Sequence, residues 1–196
     1  YVFPYQVGFS TSYKVQSGRQ YGRTASVPAS VLTNAGAETI YVEPVNARRY
    51  PNVHIFDMRL DKAFNLGGFG TLRSDVSWSR VLDGTSNGVS FDGLFGEPKD
   101  RAQMSNTWKM KSLDFTWNIN YIGKHGDDNI GYVGGYVTHD VQLAWHTPIK
   151  GLKLIGGAQN ATEKKPPLVS DDTRPFDYDL YDGYGRQAYV KVEMKW

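Results

Sequence analysis

A chain of 196 residues is the size of one domain, or of a piece of a larger one. Its 22 Lys and Arg against 20 Asp and Glu leave a formal charge of +2, without the clustered positive excess that nucleic-acid binding demands, so no nucleic-acid partner is expected. The absence of cysteine excludes a disulfide scaffold, thiolate metal sites and thiol catalysis. No stretch approaches the roughly 18 apolar residues of a membrane helix, yet 14% of the residues are aromatic in a chain of mean hydropathy −0.49. The chain opens at Tyr1 with neither an initiator Met nor a basic-then-apolar leader, and the expectation is a piece of a longer precursor.

In chain order, Val7, Phe9, Tyr13 and Val15 predict a first strand. Phe56, Met58, Leu60 and Phe64 alternate with Asp57, Arg59 and Asp61, and Leu72, Val76 and Trp78 alternate with Arg73, Asp75 and Ser77. Residues 102–110 form a weaker strand. The cleanest sets Leu113, Phe115, Trp117, Ile119 and Tyr121 against Asp114, Thr116, Asn118 and Asn120. Val137, Val141, Leu143 and Trp145 then alternate with Thr138, Asp140, Gln142 and His146, and a short turn through Pro148 and Gly151 leads to Leu152 and Leu154 as a hairpin. Last, Ala188, Val190, Val192, Met194 and Trp196 interleave with Tyr189, Lys191, Glu193 and Lys195. About eight strands with no amphipathic helix make an all-β chain.

The connections alternate in length. Segments 66–68, 111–112 and 148–151 are short, whereas 16–51, 83–100, 124–134 and 162–183 are long. In an antiparallel up-and-down array this puts the short turns at one rim and the long loops at the other, as in a transmembrane β-barrel with short periplasmic turns and long extracellular loops. In lipid each backbone polar group needs an internal partner, which a barrel supplies, and outward side chains are apolar while inward ones meet water. Alternation alone does not say which side is outside, so a soluble sandwich or lipocalin-like barrel stays open at this point. The placement of Trp78, Trp108, Trp117, Trp145 and Trp196 on the apolar side, several near strand ends, favours membrane girdles.

Asn160-Ala161-Thr162-Glu163-Lys164-Lys165-Pro166-Pro167, then Tyr181-Asp182-Gly183-Tyr184-Gly185-Arg186 and the alternating strand that ends at Trp196, resemble the last hairpin of the TonB-dependent outer-membrane receptors. Gly96-Glu97-Pro98-Lys99-Asp100-Arg101 and Asn120-Tyr121-Ile122-Gly123 resemble the preceding strands of that family. Gln16-Ser17-Gly18-Arg19-Gln20-Tyr21, Glu43-Pro44 with Arg48-Arg49, and Asp57-Met58-Arg59-Leu60-Asp61-Lys62 are similar to the subgroup that carries a carboxypeptidase-regulatory-like domain. The chain departs from the pattern at Ala161-Thr162, where Leu-Phe is usual, and at Trp196, where Phe is commoner. The resemblance implies that residues 1–196 are a C-terminal barrel segment without the plug. It also implies import of a siderophore complex, a cobalamin or an oligosaccharide across the outer membrane of a Gram-negative bacterium, driven by TonB–ExbB–ExbD. The implied partners are outer-membrane lipid, the rest of the barrel with its plug, and the barrel-assembly machinery, which would read Val190, Val192, Met194 and Trp196. The polar set Arg73, Asp75, Asp114, Asn118, Asn120, Asp140, Gln142, Lys191 and Glu193 would then line the lumen. A small self-closing eight-stranded barrel with a structural or adhesive role is the alternative.

Enzymatic chemistry finds little support. His54, His125, His139 and His146 stand in no nucleophile context, no pair has helical zinc spacing, and the glycine-rich segments 67–70 and 134–135 read as turns. No cofactor is expected. The loop with Asp171, Asp172, Asp177, Asp179 and Asp182 gathers carboxylates without the calcium-loop spacing, so no metal is expected. Phe176, Tyr178 and Tyr181 in that loop either stack on a sugar or aromatic siderophore, or pack against a neighbouring loop.

Overall fold

The computed structural model describes residues 2–3, 5, 7–17, 20–27, 38–44, 46–49, 52–83, 85–86, 89–90, 98–127, 131–168, 175–178 and 180–195. Eight long strands carry the fold: β1 (Val7–Gln16), β2 (Val53–Asn65), β3 (Thr71–Asp83), β4 (Asp100–Lys109), β5 (Leu113–Ile122), β6 (Tyr136–His146), β7 (Leu152–Gln159) and β8 (Gln187–Met194). They lie side by side in sequence order, each antiparallel to the next, in one sheet that the two-residue strand Val2–Phe3 extends beyond β1. All eight expected strands are present, and the chain is all-β, with a single three-residue 3₁₀ turn at Gly67–Phe69 among the described residues.

Three connections at one rim are tight. In the first, Gly70 has φ +93°, and a Cβ there would strike the Lys109 carbonyl across the neighbouring hairpin. Only glycine fits without strain. Gly151, at φ +81° in the β6–β7 turn, is held the same way against the Lys195 carbonyl. The long loops occupy the opposite rim, where β2 and β3 slip past one another between His54 and Ile55, a bulge that accompanies added twist beside a loop.

Register turns the eight alternations into two continuous faces. Phe9, Leu60, Val76, Met104 and Ile119 are successive cross-strand partners on one face, and Ser10, Arg59, Ser77, Gln103 and Asn120 are successive partners on the other. The apolar face is not folded inward. Leu143 is 47% and Val190 83% exposed, and Trp117 and Trp145 are exposed with them. A soluble sandwich would bury that face, so the arrangement argues against it.

The sheet is open. Among the described residues no ladder joins the Val2–Phe3 and β1 edge to β8, so the self-closing alternative is not favoured.

Candidate functional site

The polar face is a meshwork that strand register assembles. Asp57 of β2 accepts from Ser12 (3.0 Å) and Lys14 (2.6 Å) of β1 and from Ser79 of β3 (2.7 Å). Arg59 grips both carboxylate oxygens of Asp75, and Arg73 donates to Asp61 at 3.1 Å, so two ion pairs cross the same β2–β3 ladder in opposite senses. Asn120 donates to Asp140 (2.8 Å) and accepts from Gln103 (3.2 Å), while the second Asp140 oxygen caps the Asn160 N–H at 2.8 Å. His146 meets Asp114 at 2.8 Å, Tyr189 donates to Gln142 at 2.9 Å, and Lys191 pairs with Glu193 at 2.7 Å. Asn118 lines a cleft of 480 Å³ with Arg59, Arg73, Asp75 and Ser105. Every sequence-derived polar candidate therefore lies on this one face. Asp57, Arg59 and Asp61 belong to it equally, and their own alternation was the signal that marks them. Exposed ion pairs of this kind contribute little stability each. Their arrangement makes a wide surface polar.

The apolar face has its own irregularity. Lys62, Ser74 and Asn106 are direct partners in one row across β2, β3 and β4, which is why residues 102–110 alternate weakly. Ser74 donates to Asn106 at 2.8 Å, the Asn106 amide nitrogen is buried without a partner, and the Lys62 ammonium bends over the Phe64 ring at 5.1 Å. An orphaned amide costs free energy that two matched apolar groups avoid. The double substitution Ser74→Ala with Asn106→Leu is expected to leave stability unchanged or raise it by about 1 kcal/mol, read from the unfolding midpoint in bilayers. A loss greater than that would assign the pair a role beyond packing. Trp78, Trp108, Trp117 and Trp145 all lie on this face, with the Trp108 indole donating to the Phe69 carbonyl at 2.7 Å. Trp196 lies outside the described residues. Two histidines also sit here, His54 against the Tyr13 hydroxyl and His139 stacked on Trp117, its Nδ1 accepting from the indole at 3.2 Å.

At the loop rim the structure builds a small dry cluster. His125 is fully buried. Its Nδ1–H donates to the Gly126 carbonyl at 2.9 Å, which leaves Nε2 to accept from the Tyr181 hydroxyl at 2.8 Å. Tyr136 meets Tyr181 edge to face at 5.0 Å and donates to the Lys164 carbonyl at 2.9 Å. The cluster ties the β5–β6 loop to the β7–β8 loop. Nothing in the sequence announces a pairing of residues 56 positions apart. Burial, with the Asp177 carboxylate second, pushes the Tyr181 hydroxyl from its ordinary 10 up to about 12. The raised value favours the neutral phenol in the folded state, so this stability is complete below pH 10 and is lost as pH rises from 10 through 12. Tyr181→Phe is expected to leave tyrosinate absorbance at 295 nm unchanged up to pH 11 and to remove amplitude only above it; lost amplitude near pH 10 would contradict the burial.

The remaining loop candidates divide. Tyr181 and Asp177 are buried, Tyr178 is 56% exposed, and Phe176 meets Tyr178 edge to face at 4.7 Å. Asp171, Asp172 and Asp179 lie outside the described residues. Among those described, no group of three or more His, Asp or Glu side chains is placed to hold a metal ion.

No protein-family model matches the sequence, and no curated protein matches it. By structure the chain is similar to two mutant forms of the ferric enterobactin receptor (PfeA) of Pseudomonas aeruginosa, in crystal structures carrying one and two substitutions. Each gives a TM-score of 0.57 at 15% identity over 96% of this chain. The fold is that of part of this receptor. The chain spans 28% of the length of each receptor it matches. Both matched structures are receptors, not enzymes. This chain has two faces: exposed apolar side chains and tryptophans on one, a mesh of polar groups on the other.

Proposed function

We propose that residues 1–196 form the C-terminal segment of the barrel of an outer-membrane receptor in a Gram-negative bacterium. The whole receptor would import a scarce ligand with energy from TonB–ExbB–ExbD, transmitted through a plug outside this chain. The observation that carries the reading is the exposed apolar face, with its four described tryptophans, backed by a polar face of crossed ion pairs. In this reading Arg73, Asp75, Asp114, Asn118, Asn120, Asp140, Gln142, Lys191 and Glu193 look into the lumen and meet the plug, while Val190, Val192, Met194 and Trp196 address the barrel-assembly machinery. No part of the segment would transport alone.

The chain has no cysteine, so once any cysteine elsewhere in the receptor is replaced by serine, single cysteines report cleanly. Bimane placed at Val76, Met104 or Leu143 of the full receptor in bilayers is expected to be quenched by brominated lipid, and bimane at Ser77 or Asn118 by aqueous iodide. The reverse pattern would defeat the barrel reading. Energy coupling is checked by retention of the detergent-solubilised full receptor on the immobilised periplasmic domain of TonB, and an unretained receptor would remove the TonB half of the proposal.

A further inference from the structure

One cation lies on the wrong side of the sheet. Lys62 of β2 belongs by register to the apolar face, opposite Val7 of β1 and Ser74 of β3. It stands three residues before the end of β2 at Asn65, which is about 10 Å along the strand from the short-turn rim. Its ammonium lies over the Phe64 ring at 5.1 Å, so the side chain leans along the strand towards that rim. A long cationic side chain on an apolar surface takes this course when its stem lies in hydrocarbon and its head reaches for the polar boundary.

The charge has no anion in the protein. Among the described residues Lys62 forms no ion pair, because Asp61 and Asp75 lie on the polar face and pair there with Arg73 and Arg59. The Ser74 hydroxyl beside it is spent on Asn106. Residues 1–6, which precede its partner Val7, contain no Asp or Glu.

The rim next to Lys62 is apolar and basic. Leu72 is the direct partner of both Phe64 and Trp108, and beyond them Leu66 and Phe69 are exposed. The Lys109 carbonyl lies against Gly70, which sets the β4–β5 turn, with its exposed Lys111, beside the β2–β3 turn. Segments 66–70 and 110–112, all of them described, hold no acidic residue. Aromatic side chains at the end of an apolar band mark the level of lipid headgroups. A zwitterionic headgroup brings its own cation, whereas a net-anionic one supplies the charge that Lys62 lacks.

We propose that Lys62 and Lys111 form a docking site for the headgroup of an anionic phospholipid in the leaflet at the short-turn rim. The proposal rests on the receptor reading above, which puts this face in lipid, and adds the charge of the lipid and the residues that select it.

The test places bimane at Leu72→Cys of the full receptor, its other cysteines replaced by serine, in vesicles of four parts phosphatidylcholine to one part phosphatidylglycerol. Bromine is carried either by the phosphatidylglycerol or by an equal amount of the phosphatidylcholine. The brominated phosphatidylglycerol is expected to quench about twofold more strongly. That excess is expected to vanish in Lys62→Gln combined with Lys111→Gln and at high salt, and to survive in Lys62→Arg. Bimane at Ala102, which lies opposite Trp78 and Tyr121 towards the loop rim, is expected to show no preference. Heat-modifiable gel mobility checks that each variant is folded, and the salt dependence of the Leu72→Cys receptor alone replaces any that is not. Equal quenching by the two lipids, an equal preference at Ala102, or a preference that the double substitution or high salt leaves intact would overturn the docking site and leave the receptor reading standing. Quenching by neither lipid at both positions would mean that protein covers this face, and would overturn both.

Discussion

Met104→Arg is expected to destabilise the receptor by about 2–4 kcal/mol in a bilayer, while Ser105→Arg, one residue on, changes stability by less than about 1 kcal/mol. Both positions lie in the middle of β4 and share its backbone environment. Met104 is the direct partner of Val76 and Ile119 on the apolar face, so a guanidinium there enters hydrocarbon or drags water to it. Ser105 is the partner of Asp75 and Asn118 and opens into the 480 Å³ cleft, where a longer cation finds water and a carboxylate. The comparison cancels strand propensity and reads only the surroundings of the two faces. It is measured as the difference in unfolding midpoint between the variants in the same lipid. Equal losses would mean that both faces meet similar surroundings, and a larger loss at Ser105 would put the polar face in the dry environment.

The second large effect concerns the last strand. Val190→Asp combined with Val192→Asp is expected to abolish appearance of the receptor in the outer membrane, whereas Lys191→Gln combined with Glu193→Gln leaves its amount within about twofold. Val190 and Val192 are opposite Gly156 and Leu154 on the apolar face, and β8 has no strand on its other side among the described residues. In the proposed receptor, two carboxylates there would both contradict the pattern proposed for the assembly machinery and stand in lipid once inserted. Lys191 and Glu193 face the hydrated side and satisfy one another, so neutralising both removes an exposed pair of small worth. Surface proteolysis of intact cells and heat-modifiable mobility of the outer-membrane fraction give the readout. Normal assembly of the double aspartate variant would remove the role proposed for Val190 and Val192.

These two predictions use information that was already legible in one dimension. The alternation of Leu113 to Tyr121 with Asp114 to Asn120 names both faces of β5 before any fold is known, because the side-chain period of a strand is 2 whatever it pairs with. The short turns at 66–68 and 148–151 are equally local. Where the sequence blurs, at residues 102–110, the reason is visible only in the sheet: Asn106 sits in a row with Lys62 and Ser74, and its departure from the apolar pattern is shared by its neighbours rather than belonging to β4.

The site is less legible than the fold. Membership of the polar face follows from alternation, but partnership does not. That Arg59 holds Asp75 while Arg73 holds Asp61 depends on the β2–β3 register, in which Arg59 lies opposite Ser77 and Asp61 opposite Asp75. The joining of His125 to Tyr181 depends on how the β5–β6 and β7–β8 connections meet at the rim.

What the sequence determined by itself is the set of strands, their two chemistries and the alternation of short and long connections, all properties of a few consecutive residues. Tertiary structure alone decided the register of the ion pairs, the loop contacts at the rim and, among the described residues, the lack of a ladder between the Val2–Phe3 edge and β8. Those depend on which backbone groups find partners across tens of residues, and a period of two carries no record of that choice.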